Sequence, residues 1–267
     1  MIYFIATPIG NLKDITLRAL ETLKNADVIF CEDTRHTLKL LSAYEIKKPL
    51  LACHKFNERE AAEKILAASR EGKEVAIVSD AGMPVVSDPG NLVCRALRDA
   101  GEPYTVLPGA CAFVCALVLS AMPADRFTFI GFLPDKTGER KEVLNHYKDH
   151  TDTLVFHAAP QDVDRYVKDM YEVFGERRAC SVREITKLHE ESVRFLLSEG
   201  LPGERRGEYV LLVEGAEEKE NPLNALSPRE HVKRYMDKGF DKKEALKRAA
   251  KDRGVPKSDL YKETLDL

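Results

Sequence analysis

Short apolar runs alternate with amphipathic stretches through the first 122 residues. IYFIAT, DVIFCE, PLLAC, EVAIVSD and PYTVLP carry the β-branched and aromatic residues of buried strands. The segments between them repeat apolar residues at helical spacing, predicting helices over Thr16 to Lys24, on to about Tyr44, from Asn57 to Arg70, and after Pro89. Strand and helix in alternation predict a mainly parallel sheet covered by helices, and in such sheets ligands sit at the carboxyl ends of the strands.

Beyond Pro123 the pattern changes. AMPADRFTFIGFLPDKTGER holds one strand between prolines and then a basic, polar stretch, which reads as a linker joining two domains. A helix to about Lys148, the strand TLVFHA, a helix over Asp162 to Phe174, and the strands ACSVREI, SVRFLLSE and GEYVLLVE follow. Strands outnumber helices here, so the second domain should have a mixed sheet. The acidic, polar run from Glu217 to Leu226 predicts a flexible linker. SPREHVKRYMDKG, DKKEALKRAAKDRG and VPKSDLYKETL each open on a residue that starts or caps a helix, and Gly239 and Gly254 mark stops. The second and third of these helices resemble a helix-turn-helix. The expected fold is therefore α/β: one α/β domain over 1–122, a second over 123–216, and a small basic all-α domain over 227–267.

Composition narrows the class. At 267 residues, with 44% hydrophobic and 32% charged residues, the chain can bury two cores and is far from a disordered composition. No run approaches the ~18–20 apolar residues of a membrane span. The start lacks the basic segment and cleavage site of a secretion signal, so a cytoplasmic protein is expected. The six cysteines form no CxxC pair and lie in apolar stretches, which favours reduced core thiols over disulfides or zinc. The net charge of −3 hides an asymmetry: Ala225 to Leu267 carries 12 Lys and Arg against 8 Asp and Glu, so a basic tail follows an acidic body. Such a tail is either a nucleic-acid contact or a solvated helical face.

Three strands run into loops rich in Gly, Pro and Asp, namely ATPIGN, SDAGMPVVSDPG and LPGAC, which suggests one crevice. ATPIGN is neither a GxGxxG fingerprint nor a Walker loop, so dinucleotides and nucleoside triphosphates have little support. Asp80 and Asp88 bracket the second loop. Asp80, at a strand end, could accept hydrogen bonds from a ribose or an amino group, or both side chains could cap the loop and the helix after Pro89. CEDTRHT sets Glu32, Asp33, Arg35 and His36 after a strand. Asp33 either orients a substrate or N-caps the next helix, and Arg35 is assigned to substrate contact. VREITK brings Arg183, Glu184 and Lys187 together, either as a surface ion pair or with one of Arg183 and Glu184 turned by strand alternation to the crevice. His54, His157 and His189 have no ligand spacing and read as structural residues, so no metal site is expected. A GxSxG nucleophile elbow is absent.

Taken in order, ATPIGNLKDIT, CEDTRHT, SDAGMPVVSDPG, PGACA, GFLP, REITK and GEYVLLV resemble the tetrapyrrole methylase superfamily and, within it, the ribosomal RNA small subunit methyltransferase I type. The resemblance runs from Ile2 to about Val213, and the tail is similar to a helical domain often appended to that type. It implies two α/β domains with S-adenosylmethionine in the cleft between them, and a homodimer. Matched motif positions imply cofactor contacts from Pro8, from Asp80, Ala81, Gly82 and Met83, and from Gly109, Cys111 and Ala112. The second domain would add Phe156, Ala159, Arg183, Glu184, Glu208 and Tyr209. Three stretches depart from the pattern: Met83 stands where threonine is usual, FHAAPQD replaces YESPHR, and HKFNE replaces HxHNE.

The implied reaction is methyl transfer to the ribose 2′-oxygen of a cytidine in the decoding region of small-subunit (16S) ribosomal RNA, either naked or in the assembled small subunit. Glu32, Asp33 and Asp80 are the candidate general bases, and Lys187 or Arg35 would stabilise a developing alkoxide or grip a phosphate. Arg35, Lys136, Arg140, Lys141, Lys242, Lys243 and Lys247 would hold the RNA backbone. Two other readings are a methyltransferase acting on a tetrapyrrole and a non-enzymatic RNA-binding assembly factor.

Overall fold

The computed structural model describes residues 1–217 and 221–264. In it the five apolar runs of the first half become five parallel strands: β1 (Ile2–Ile5), β2 (Val28–Cys31), β3 (Leu50–Ala52), β4 (Val75–Val78) and β5 (Tyr104–Leu107). Their order is β3-β2-β4-β1-β5. Alternation along each strand divides its side chains between two cores. Ile2, Phe4, Phe30, Val75 and Ile77 pack with residues of α3 (Glu58–Arg70) and α4 (Asn91–Asp99). Ile5, Ile29, Cys31, Ala76 and Val78 pack with residues of α1 (Leu17–Asn25) and α2 (Thr34–Ala43). The chain leaves β1 toward β2 and β3 on one side and returns through β4 to β5 on the other. The carboxyl ends of β4, β1 and β5 therefore surround the point where the strand order reverses, the usual ligand position in such sheets.

A second sheet has the order β6-β7-β10-β8-β9, formed by β6 (Phe127–Phe132), β7 (Thr153–Ala158), β8 (Arg178–Arg183), β9 (Glu191–Leu196) and β10 (Tyr209–Val213). Only the β6–β7 pair is parallel, so the sheet is mixed. One face packs on α6 (Thr137–Tyr147) and α7 (Val163–Phe174) through Leu144, Tyr166, Val167 and Met170. The other packs on α5 (Ala112–Ser120) through Ala116 and Leu117. The strand expected between the prolines is present, and two points go beyond the sequence reading. The segment 123–136 is not a free linker, because Phe127–Phe132 is an edge strand of this sheet, tied to it at Thr153, whose hydroxyl donates to Pro123 O at 2.7 Å. Helix α5, which follows the first sheet in the chain, buries its inner face against the second.

Arg140 requires a correction. Expected to meet RNA, it is 2% exposed, with its Nε 2.6 Å from Asp169 Oδ2 and its other nitrogens donating to Pro134 O, Asp135 O and Thr137 Oγ1. Its position on α6 faces α7, and the guanidinium joins the two helices through Asp169 while its other nitrogens hold the turn that leads into α6. Lys141, one residue on, remains partly exposed and pairs with Glu172 and Asp169.

The second unit, Glu217–Leu267, contains α8 (Pro228–Asp237), α9 (Lys242–Arg253) and α10 (Lys257–Glu263). Ser227 and Glu230 form a capping box on α8, and Asp241 caps α9. Val232, Ala245, Leu246, Ala249, Ala250 and Leu260 make its core. Gly254, at φ +63°, ends α9 ahead of a short turn into α10, as a helix-turn-helix requires. Part of the expected linker is structured: Pro222–Ala225 is a 3₁₀ turn, and Asn221 and Asn224 donate to Asp252. Residues 218–220 of that linker and 265–267 of the tail lie outside the described residues.

Arg140→Ala would leave the buried Asp169 only the longer contact to Lys141, at 3.7 Å, so urea denaturation of the full chain should show a loss of about 3 kcal/mol. A paired Arg140→Met, Asp169→Leu variant should recover most of it. A loss under about 1 kcal/mol for the single variant would contradict the structural role given to the pair.

Candidate functional site

Loops after β1 and β4 are stitched together at the switch point. Thr7 N donates to Gly82 O at 2.9 Å and Gly82 N to Thr7 O at 3.0 Å, while the Thr7 hydroxyl reaches Ser79 O at 3.2 Å. Gly82 lies at φ +78°, a conformation that costs a residue with a Cβ. Gly109, after β5, approaches so closely that an added Cβ would stand 2.7 Å from Ala6 Cβ. These contacts bring SDAGMPVVSDPG and LPGAC against ATPIGN, as the sequence suggested.

Across from them stands the REITK loop. Glu184 and Thr186 hold left-handed backbone angles, φ +49° and +66°. Lys187 lays its methylenes over Gly10, where a Cβ would sit 2.5 Å from Lys187 Cγ. Its Nζ is 2.9 Å from both Glu184 Oε1 and Glu208 Oε2, and Glu184 Oε1 also accepts from Glu208 N at 3.0 Å. Burial works against the charge on Lys187, but Glu208 and Glu184 outweigh it and hold its pKa above the ordinary lysine value. Lys187 is thus a fastener between the two halves of the first unit, with its charge already matched.

Between these loops lies a cleft of about 350 Å³. The first sheet contributes Ile9, Ala81, Gly82, Met83, Val86, Ser87, Asp88, Cys111, Ala112 and Phe113. The second contributes Phe132, His157 to Pro160, Ile185, and Glu208 to Val210. Eight residues expected at a cofactor line it: Ala81, Gly82, Met83, Cys111, Ala112, Ala159, Glu208 and Tyr209. Pro8, Asp80 and Gly109 do not line it, although Ile9, Ala81 and Cys111 of the same loops do.

Phe156 is corrected: it is fully buried in the core beneath α7, because strand alternation sends its neighbour His157 to the cleft instead. Arg183 and Glu184 are also corrected. Arg183 pairs with Glu191 at 2.7 Å, and Arg183 and Glu184 border a separate hollow with His189, Glu204 and Arg206.

The candidate bases also separate. Asp33 caps α2 by accepting from Arg35 N at 2.8 Å and is gripped by the Arg35 side chain, which holds its carboxyl well below the usual range. A carboxylate so held is a poor proton acceptor. Asp80 accepts from Asp33 N at 3.1 Å. Glu32 is half-buried, and burial followed by Asp80 raises its pKa. None of these three lines the cleft.

Two residues that sequence reading passed over do line it. Asp88, seen only as one end of a loop, has a pKa pushed up to about 6 by burial and then by Glu32 and Asp80. His157, read as structural, sits edge-on to Phe129 and Phe132, and burial lowers its pKa by disfavouring the charged ring. Its buried Nε2 has no hydrogen-bond partner. The period of two in TLVFHA was the available signal for His157; for Asp88 it was the pair of Asp residues bracketing one Gly- and Pro-rich loop.

Among the described residues no group of three or more His, Cys, Asp or Glu is placed to hold a metal ion. Nor is any described helix long and apolar enough to cross a membrane.

Comparison with known proteins places this arrangement. Residues 1–200 match the family of tetrapyrrole (corrin/porphyrin) methylases. The chain is 43% identical to ribosomal RNA small subunit methyltransferase I of Halalkalibacterium halodurans, over 97% of this chain and 93% of that one. It is 40% identical to the protein of the same name from Escherichia coli O157:H7, over 99% and 94%. Among solved structures, the methyltransferase CobJ superposes with a TM-score of 0.60 at 18% identity, over 82% of this chain and 96% of that one. Uroporphyrin-III C-methyltransferase from Thermus thermophilus, in complex with S-adenosylhomocysteine, gives 0.56 at 21%, over 79% and 96%. The chain belongs to the tetrapyrrole methylase family and, within it, to the group formed by the ribosomal RNA small subunit methyltransferase I proteins.

Proposed function

We propose that this protein transfers the methyl group of S-adenosylmethionine to the ribose 2′-hydroxyl of a cytidine in the decoding region of small-subunit ribosomal RNA. The observation that carries the reading is its 40–43% identity, over 97–99% of the chain, to proteins named for small-subunit ribosomal RNA methylation.

The cleft suits the cofactor. Its volume, about 350 Å³, and mixed apolar lining match a site for a molecule of that size. Gly82 lets backbone approach a flat ligand closely, and the unpartnered Nε2 of His157 gives a polar ligand atom something to bond. Ala81 to Met83, Cys111, Ala112, Ala159, Glu208 and Tyr209 would hold the cofactor, which when bound supplies a methyl group on an electrophilic sulfonium. The protein's own work is then to orient the ribose, exclude water and remove one proton.

Arg35, with a side chain 88% exposed, stands at the same sheet edge and is offered to phosphate, as is Lys136 at 81%. All three are ion-paired, Arg35 with Asp33, Lys136 with Glu139 and Lys141 with Glu172, and Lys141 is retained as the weaker contact because its side chain is the least exposed. On α9, Lys243 and Lys247 are exposed, and Lys242 stands beside them as a third candidate contact. The substrate is either the RNA or the assembled small subunit, in the cytoplasm, where the six free cysteines stay reduced.

The reading also includes a homodimer. Helix α5 is apolar all round, and its outward Val114 and Val118 are 46% and 76% exposed, a face that a second copy would cover. Sedimentation should give twice the 30.0 kDa chain mass, and Val118→Asp should shift it toward one copy. A single-chain mass for the unaltered protein would remove the dimer.

Methyl transfer is tested with tritiated cofactor and small subunits from cells lacking this protein. Label in one alkali-resistant ribose linkage, at a cytidine of the decoding region, is the expected result. No incorporation despite intact cofactor binding would reject the ribosomal RNA substrate. In the same assay over a salt series, a Lys243→Ala, Lys247→Ala variant should lower RNA affinity and reduce the salt slope by about 2, leaving cofactor affinity unchanged. An equal loss of cofactor affinity would make the tail structural instead.

A further inference from the structure

The cleft and the packed cores leave one aromatic ring without a role. Phe56 is 92% exposed, although such rings usually supply core or interface area. It belongs to HKFNE, after β3, one of the three stretches that depart from the family pattern. The turn that carries it is fixed from within. Asn57 Oδ1 accepts from His54 N at 2.7 Å, Asn57 Nδ2 donates to Ala52 O at 3.0 Å, and Asn57 N donates to His54 O at 2.9 Å. Glu58, which opens α3, points inward and accepts from Leu92 N at 2.9 Å. Phe56 is thereby held outward, and its ring meets that of His54 at 6.2 Å and 64°, an edge contact that steadies it without covering it.

This turn stands on the margin of the cleft. Strand β3 pairs with β2, and Cys53 N donates to Cys31 O at 2.7 Å, so the turn lies beside the loop that carries Arg35. Glu32 of that loop interacts electrostatically with His54 on one side and with Asp88, a residue of the cleft, on the other. In the sheet β3 is two strands from β4, roughly 10 Å at the usual spacing. One RNA strand covers that with about two or three nucleotides at ~3.4 Å each, and with fewer when they are splayed apart. Strand β3 is also the edge opposite β5, which leads into the α5 face assigned above to a second copy.

The charge around the ring is positive. Lys55 and Arg59 are exposed on either side of Phe56, and neither is ion-paired among the described residues. The neighbouring acids are occupied, Glu58 at Leu92 N and Glu60 with Lys64 at 2.7 Å. An open ring between two unmatched cations has the chemistry that receives a nucleobase and the phosphates on either side of it. The cations favour that occupant over an apolar protein surface.

We propose that Phe56 is a stacking platform for an unpaired nucleobase of the substrate RNA close to the methylated nucleotide, with Lys55 and Arg59 holding the adjoining phosphates. This rests on the RNA-methylating reading given above and adds to it a positioning residue. Every base has a π-face, so the platform selects single-stranded, splayed RNA and tolerates base identity. Stacking acts on RNA binding and leaves the bonds that form and break untouched, so its loss falls on KM and spares kcat. It is also insensitive to salt, whereas the grip of Lys55 and Arg59 weakens as salt rises.

The deciding experiment measures methyl transfer to small subunits from cells lacking this protein, S-adenosylhomocysteine affinity and melting temperature for the unaltered protein, Phe56→Ala, Phe56→Leu, Phe56→Tyr and Phe56→Trp. For Phe56→Ala we expect KM for small subunits raised about 5- to 150-fold, kcat and cofactor affinity within about threefold, and an unchanged melting temperature. Phe56→Leu should lose about as much, while Phe56→Tyr and Phe56→Trp keep KM within about threefold, because a ring is what offers the π-face. Over a salt series Phe56→Ala should keep the slope of the unaltered protein, and a Lys55→Ala, Arg59→Ala variant should reduce it by about 1–2. An unchanged KM in Phe56→Ala, or a parallel loss of cofactor affinity, would overturn the proposal. Full retention by Phe56→Leu would also overturn it, in favour of an apolar protein contact. Absence of label with the unaltered protein would instead remove the ribosomal RNA reading on which it stands.

Discussion

Helix α5 leaves the last strand of the first sheet and buries Ala116 and Leu117 against Val155, Val182, Val210 and Leu212 of the second, and the cleft depends on that crossover. Without it the two sheets would share only loops. With it, the carboxyl ends of β1, β4 and β5 are held opposite β7 and β10, and Lys187 can close the far side over Gly10. Burial of apolar area supplies the attachment, at roughly 25 cal/mol per Å². The polar contacts of Lys187 with Glu184 and Glu208 add register more than energy, since Glu208 is largely exposed.

The acidic groups of the first sheet divide by what holds them. Arg35 fixes Asp33 as an ion, and Asp33 N in turn occupies Asp80. Glu32 and Asp88, half-buried and close to Asp80, are both pushed toward their neutral forms. Crowding of carboxylates at one sheet edge thus leaves the one beside Arg35 ionised and raises the pKa of those that burial and like charge disfavour as ions.

Periodicity made most of the fold legible. Parallel and mixed sheets followed from the alternation of strands with helices in one half and the excess of strands in the other. Packing partners were less visible. The run AFVCALVLS is apolar on every side, so its pattern could not say which sheet it joins, and the strand FTFIGF between prolines looked like a connector because an edge strand carries little alternation. At the site, motif positions on loops were found, and eight of them line the cleft. Side-chain direction was the weak point. Phe156 and His157 are adjacent, and one residue of register decides which faces the ligand. Arg140 lies in a basic stretch, yet its helix position turns it inward to Asp169, a contact 29 residues away that no local pattern records.

The central claim is that the cleft between the two sheets is the cofactor site, and a crystal structure with S-adenosylhomocysteine tests it most directly. The account predicts the ligand between Ala81 to Met83 and Cys111 on one side and His157 to Ala159 and Tyr209 on the other, with a polar ligand atom bonded to His157 Nε2. Ligand bound instead in the hollow beside Arg183 and His189, with the cleft empty, would contradict it.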